Sequence, residues 1–524
     1  MNAPASRGGF WTVLRAQLRT GWLAPTVWIF ALAGGYAATV AAVNGLYGTP
    51  AQLAGYNDTV AADPAMAAIN GTPYGADTLG GVVSNEFGFI AAIAIPLMGL
   101  LLVVRQTRTQ EERGMLELLR SRGVGIRAPW SAALLTTTIA LALVGASMTA
   151  TLLAFGEDLP GAVTYGASMA ALGLVFAGIA VFAGQLFRRG AGITAIGIGV
   201  LGAAYITRAV GDVRGSGWKW LSPLAWQQET RPFTDDLRLW PLLLSLGVAI
   251  LLVAAGLILV DRRDLGAALF ASRPGPARGG GTLRTTPGVA VRMQAPTAAG
   301  WIAGAAVIGL VFGAFTGDIA DAIASNPQLA ASFPDPADAN ASYIGLSLLL
   351  IALMSLGVLG QGLSRTRAEE SEGRLESVLA RAVSRPGWSS AQFLTSAVTA
   401  TLTLIIGGAA LELTAGDTVD GIPAATLAYI PAVLLVAGIA WVLFGLLPRL
   451  SALIWAVVGY VAFVAFLGET LKLPDWALNM SPLYAVGTVP VDEVSAQSEW
   501  VLTVIAVVLC AAGIIGFRRR DTPR

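Results

Sequence analysis

The stretch Arg108-Thr-Gln-Glu-Glu-Arg-Gly-Met-Leu-Glu117 lies between two long apolar runs, and a variant of it returns as Arg367-Ala-Glu-Glu-Ser-Glu-Gly-Arg-Leu-Glu376. At an offset of 259 residues Arg108 falls on Arg367, Glu111 on Glu370, Gly114 on Gly373, Leu116 on Leu375, Glu117 on Glu376, Arg122 on Arg381 and Val124 on Val383. After a slip of one residue, Arg127, Trp130 and Ser131 meet Arg385, Trp388 and Ser389. Outward from these segments, Leu14-Arg-Ala-Gln17 before Gly21-Trp22 matches Val291-Arg-Met-Gln294 before Gly300-Trp301. Ser222-Pro-Leu224 matches Ser481-Pro-Leu483, and Arg263-Asp264 matches Arg520-Asp521. Landmarks in one order at similar spacing indicate a parallel internal duplication.

The flanking runs decide the class. Of 524 residues, 55% are hydrophobic and only 12% charged, outside the range of soluble globular chains. Crossing a bilayer takes about 20 apolar residues per helix, and a barrel would instead show short alternating segments. The runs are continuous and predict an all-α polytopic membrane protein of about twelve helices. The expected spans are 24–43, 82–104, 132–155, 163–187, 191–209, 239–260, 299–316, 342–363, 391–413, 423–447, 450–468 and 499–517. They divide into a first six-span half (1–260), an Arg/Pro/Gly-rich linker (261–298) and a second six-span half (299–524). Residues 7–22 place Trp11, Leu14, Leu18 and Trp22 at helical spacing opposite Arg15 and Arg19, the pattern of an interfacial helix. No small-residue cleavage site follows the first run, so a removable signal peptide is not expected.

Charge orients this map. With the N-terminus in the cytoplasm, 27 of the 33 Lys and Arg residues fall on the cytoplasmic side. The loops 44–81 and 317–341 carry Asp58, Asp63, Asp77, Asp318, Asp321, Asp335 and Asp338 and no basic residue, which marks them as external. An even number of spans returns the Arg518-Arg-Arg520 tail to the cytoplasm. Arg outnumbers Lys 31 to 2 in an Ala- and Gly-rich chain, the bias of a high-GC bacterium, so the expected location is the bacterial plasma membrane. Nothing in the sequence supports nucleic-acid binding.

The residue inventory excludes much chemistry. There is no histidine and a single cysteine, Cys510, so zinc, iron–sulfur and His-based acid–base sites have no ligands. Lys219 and Lys472 lie outside any phosphate-binding loop, so no cofactor is expected on this chain. Glu86 stands at the outer start of the second expected span, either as an intramembrane carboxylate or as a headgroup-level one. The duplicated segments read as short amphipathic helices, Leu116 with Leu119 and Leu375 with Val378 forming a small apolar edge beside acids, suited to dock on a cytoplasmic partner.

These stretches, with Arg385-Pro-Gly-Trp388, Trp220-Leu-Ser-Pro-Leu-Ala-Trp226, Arg262-Arg-Asp-Leu-Gly-Ala267 and Arg273-Pro-Gly-Pro276, resemble the permease subunits of ABC-2 type exporters over essentially the whole chain. The match is to the fused two-half, polyketide antibiotic (tetronasin-type) exporter permeases of actinobacteria. The resemblance implies a type V ABC exporter-like fold of two parallel six-helix repeats. It also implies a drug-efflux role for hydrophobic or amphipathic compounds, and two copies of a separate ATPase that binds the ATP and Mg. The coupling residues it implies are Glu111, Glu112, Gly114, Leu116, Glu117, Glu369, Glu370, Gly373, Leu375, Glu376 and Arg385. By the same analogy the substrate path runs between the second and fifth spans of each half, with Glu86, Phe87, Phe89, Met98, Tyr205, Met354, Tyr460, Phe463 and Phe466 as candidates. Gly125-Ile126 stands in the first copy where the second has Ser384, which implies a weaker dock for the first.

Two other classes stay open on the residues alone. A proton-coupled carrier of the major facilitator type also has six plus six spans, but needs a mid-membrane carboxylate that the chain does not show. A membrane enzyme acting on lipid-linked substrates would have to use Asp235-Asp236 or Asp492-Glu493.

Overall fold

The computed structural model describes residues 9–59, 70–121, 123–262, 268–269, 280–314, 316, 339–380, 383–416, 419–467, 473–492 and 494–520. Arg122, Arg381, Arg263-Asp264, Asp521, Asp63, most of the loop 317–341, Glu469, Lys472 and Glu493 lie outside these residues, as does the side chain of Phe466. The chain divides into two compact units, Met1–Pro274 and Gly275–Arg524.

In the first unit the α-helices are α1 (Phe10–Gly21), α2 (Leu23–Leu46), α3 (Pro50–Thr59), α4 (Leu79–Glu86), α5 (Gly88–Gln106), α6 (Arg108–Glu112), α7 (Met115–Arg120), α8 (Ala128–Ala154), α9 (Leu159–Leu186), α10 (Gly190–Val213), α11 (Pro223–Gln228) and α12 (Trp240–Val260). In the second they are α13 (Thr286–Ala314), α14 (Ala339–Ser371), α15 (Arg374–Leu379), α16 (Arg385–Ala415), α17 (Ile422–Ala428), α18 (Ile430–Gly445), α19 (Leu453–Leu467), α20 (Asp475–Asn479) and α21 (Ala496–Arg519).

Among the described residues, eleven helices are long and apolar enough to cross a membrane, which makes this an all-helical, multi-pass membrane protein. The expected span at 450–468 is the exception. Of that span, α19 has 15 described residues, roughly 22 Å at 1.5 Å per residue, and residues 468–472 that follow it lie outside the described residues. The linker also needs correction: helix begins again at Thr286, so residues 286–298 are the first turns of α13, with Ala290 and Gln294 buried. The equivalent part of the first unit is the separate helix α1. It seats Val13 and Leu14 against Ala132 of α8 and leaves Trp11, Leu18 and Trp22 exposed.

Small residues let the apolar helices meet closely, as they do where lipid supplies no hydrophobic drive. A Cβ built on Gly178 of α9 would lie 3.0 Å from Leu252 Cβ and 3.1 Å from Ala249 O of α12. One built on Gly438 of α18 would lie 2.9 Å from Leu509 Cβ and 3.0 Å from Ala506 O of α21. The same seam has been built twice. Buried glutamines repeat too: Gln17 Nε2 donates to Gln106 O and Pro129 O, and Gln294 Nε2 donates to Gln392 O.

Candidate functional site

The duplicated segments share a backbone. Thr107 and Thr366 each return a hydroxyl hydrogen bond one turn back, to Val103 O at 2.6 Å and Gly362 O at 2.8 Å. The first copy then breaks at Thr107 before α6, whereas α14 runs unbroken to Ser371. In both, a left-handed glycine turns the chain into a six-residue helix, Gly114 at φ 72°, ψ 4° before α7 and Gly373 at φ 74°, ψ 2° before α15. Side chains with a Cβ avoid this conformation, which accounts for glycine at both positions.

The anchors differ. Arg108 is buried; its Nη1 pairs with Glu111 at 3.0 Å, and its Nε donates to Gly184 O at the end of α9 at 2.6 Å. In the second unit, Arg367 pairs with Glu370 at 2.6 Å but stays partly exposed, and a second arginine arrives from the end of α21. Arg520 pairs with Glu370 and donates to Phe444 O at 2.8 Å, at the end of α18. Arg385 Nη1 in turn donates to Arg520 O at 2.6 Å. The link from the buried acid to the end of the fourth span is thus made by the segment's own arginine in one unit and by the tail arginine in the other.

Glu111, Glu370, Leu116 and Leu375 therefore correct the expectation of a docking edge made from them. The two acids are nearly buried and held by arginines, and the two leucines are 5% and 2% exposed. Arg385 likewise serves an internal bond. Glu112 is exposed, but its Oε1 accepts from Gly190 N at 2.5 Å, capping the start of α10. Glu369 chelates Arg374 at 2.8 and 2.9 Å. Exposed on the six-residue helices are Glu117 with Met115 and Leu118 in the first copy, and Glu376 with Arg374 and Ser377 in the second; Glu112 and Arg113, and Ser371 and Glu372, are exposed just ahead of them. Ser384 is a helix cap, its Oγ accepting from Gly387 N at 3.2 Å; α8 has no side-chain cap.

Residues 283–518 match the family described as "Multidrug efflux system permease Rv1217c, C-terminal domain". The whole chain is 32% identical to the Multidrug efflux system permease protein Rv1217c of Mycobacterium tuberculosis (strain ATCC 25618 / H37Rv), over 97% of this chain and 94% of that protein. The chain belongs to the Rv1217c family of multidrug efflux permeases. The family match takes in every long helix of the second unit, and a permease of an efflux system has partner components. It does not single out the tetronasin-type branch.

In this Rv1217c-family permease the expected path residues have different surroundings within their own units. Glu86 ends α4, ahead of the span, and is exposed, accepting from Tyr56 Oη at 2.7 Å. Phe87 and Met98 are buried core side chains of the first unit, 2% and 0% exposed, so neither lines an open path there. Phe89 of α5 meets Tyr205 of α10 edge-on at 6.2 Å. Met354 is partly buried against the second unit's core, Tyr460 donates to Ala477 O at 2.5 Å, and Phe463 is 41% exposed.

Three features escaped the sequence reading. Arg208 of α10 is fully buried, its guanidinium 4.5 Å above the Tyr205 ring. Arg520 is the tether described above. Outside the spans, Glu229 is buried and paired with Lys219, with Arg231 at 3.0 Å and with Arg238, and accepts from Tyr74 Oη at 2.6 Å. Burial works to raise its carboxyl, but the hydrogen bonds from Lys219 and Tyr74 and the nearby positive charges outweigh it, and its pKa lies below the ordinary range. Asp236 is tied to Arg231 and Arg238, and Asp492 accepts from Thr488 N at 2.6 Å. The signal for the Glu229 cluster was four charges and a tyrosine in loops between the long helices, but their meeting depends on loop paths 155 residues apart.

Proposed function

We propose that this permease is the transmembrane subunit of an ATP-driven exporter that moves hydrophobic or amphipathic drug-like molecules out across the bacterial plasma membrane, of the antibiotic-export kind that its motifs resemble. Two copies of a separate ATPase, which bind the ATP and Mg, dock on the cytoplasmic segments around α7 and α15; both termini lie in the cytoplasm. The observation that carries this reading is the pair of segments with one left-handed glycine turn and one buried arginine–glutamate anchor, each joined to the ends of long apolar helices. A push on either segment is transmitted through Arg108 or Arg520 to the end of the fourth span, a short and stiff route for a rigid-body change in a helix bundle. The substrate would travel along the seam of the second and fifth spans, where Phe89 and Tyr205 meet.

The test is a pull-down of the tagged chain from native membranes, with mass spectrometry and an ATPase assay of the eluate, followed by efflux of a lipophilic dye from cells. An ATPase at about two copies per permease, and efflux abolished by a hydrolysis-dead ATPase, are expected. Efflux that persists without ATP and collapses with a protonophore would replace this reading with the proton-coupled carrier.

A further inference from the structure

We infer that the two docking segments hold their partner by different forces: the first through an apolar contact at Met115 and Leu118, the second through ionic and polar contacts around Arg374, Glu376 and Ser377. The inference deepens the proposed docking of one ATPase chain used twice, and rests on that reading.

The comparison is close because the backbones are equivalent. Gly114 and Gly373 differ by 2° in φ and in ψ, and the inward leucine is buried in both copies. At the same offset, Met115 falls on Arg374, Glu117 on Glu376 and Leu118 on Ser377. Met115 is 51% and Leu118 67% exposed, two large apolar side chains standing beside one carboxylate. Leu118 is followed by Leu119, which packs inward against the cluster of Val13, Leu14 and Ala132, so the first segment's apolar character runs through to its outer face. The second segment's outer face carries Arg374, half exposed and bound to Glu369 and Glu372, with Glu376 and Ser377 exposed beside it.

A duplicated segment with a matched backbone calls for two copies of one partner. The shared carboxylate, Glu117 or Glu376, fits one basic group on that partner. The neighbouring notch on the partner is then filled by Met115 and Leu118 on one side and met by a guanidinium and a hydroxyl on the other. Apolar burial is insensitive to screening, whereas contacts between exposed charges fade as the Debye length falls from about 10 Å at 0.1 M salt to about 3 Å at 1 M. The partner copies should therefore leave one at a time as salt is raised.

The experiment uses the full-length permease in lipid nanodiscs with the ATPase that copurifies with it, read by native mass spectrometry across that salt range. Two copies at low salt and one at high salt are expected. Met115→Ser with Leu118→Ser should remove the salt-resistant copy, and Arg374→Met with Ser377→Leu should make the second copy salt-resistant as well. All four positions are exposed, and an unchanged size-exclusion profile confirms that each variant is folded. Simultaneous loss of both copies, or a salt-resistant copy surviving Met115→Ser/Leu118→Ser, overturns the inference while leaving two-site docking intact. No bound copy at low salt would instead remove the docking reading and this inference with it.

Discussion

The two charged segments have the same turn, the same inward leucine and an arginine three residues before the anchored acid, yet only the second acid is also held by an arginine from the far end of the unit. Arg108 and Glu111 form a local i, i+3 pair sealed against the end of α9. Glu370 is held by Arg520, 150 residues away. Duplication has kept the geometry of a buried carboxylate bound to the fourth span while changing which residue makes the bond. A buried ion pair tolerates such an exchange because its requirement is a satisfied charge at a place, not a particular sequence neighbour.

The largest expected effect separates the two anchors. Arg108→Ala removes the guanidinium that pairs with the buried Glu111 at 3.0 Å and should cost about 3–5 kcal/mol, seen as loss of the monodisperse peak in fluorescence size-exclusion. Arg520→Ala leaves Glu370 with Arg367, so its loss should be about 1.5–3 kcal/mol, the range for hydrogen bonds to charged groups, and the protein should still insert with a lowered Tm. Equal effects would mean that Arg520 is not an alternative anchor but part of a shared one.

A smaller and symmetric effect is expected at the turns. Nothing lies within 4 Å of a Cβ at Gly114 or Gly373, so alanine there meets only backbone strain, about 1–2 kcal/mol in either copy by thermal melting. Ser384→Ala should cost about 1 kcal/mol by removing the α16 cap, with no counterpart to lose at the start of α8.

The smallest effect is a pH dependence of the Glu229 cluster. The Glu229 carboxyl has a folded pKa below its ordinary 4.5, so the stability it contributes is present above that value and is lost as the pH falls through the folded pKa. Melting of the wild type should weaken as pH falls below 4.5, and Glu229→Gln should flatten that limb. The matching stretch of the second unit, with Thr488 and Pro490 at these positions, should contribute nothing to it.

Hydropathy alone placed eleven of the twelve expected helices, because a bilayer admits few alternatives to a long apolar helix. The early start of α13 comes from a helix end, where hydropathy and helix formation stop being the same signal. The duplicated segments were legible as a pair, but the direction of their faces was not. Helical spacing put Leu116 with Leu119 and Leu375 with Val378 on one side, as the structure does, but spacing within a six-residue helix does not say whether that side meets the protein or a partner; here it packs inward.

The sequence by itself determined the membrane class and the twofold repeat, because length of apolar run and recurrence of residues are local properties. Tertiary structure alone decided that Glu111 and Glu370 are anchors and not docking residues, that Arg520 completes the second anchor, and that Met115 and Leu118 face outward where Arg374 and Ser377 do in the other copy. Burial and charge pairing depend on which distant segments arrive at the same place, and no spacing within the chain encodes that.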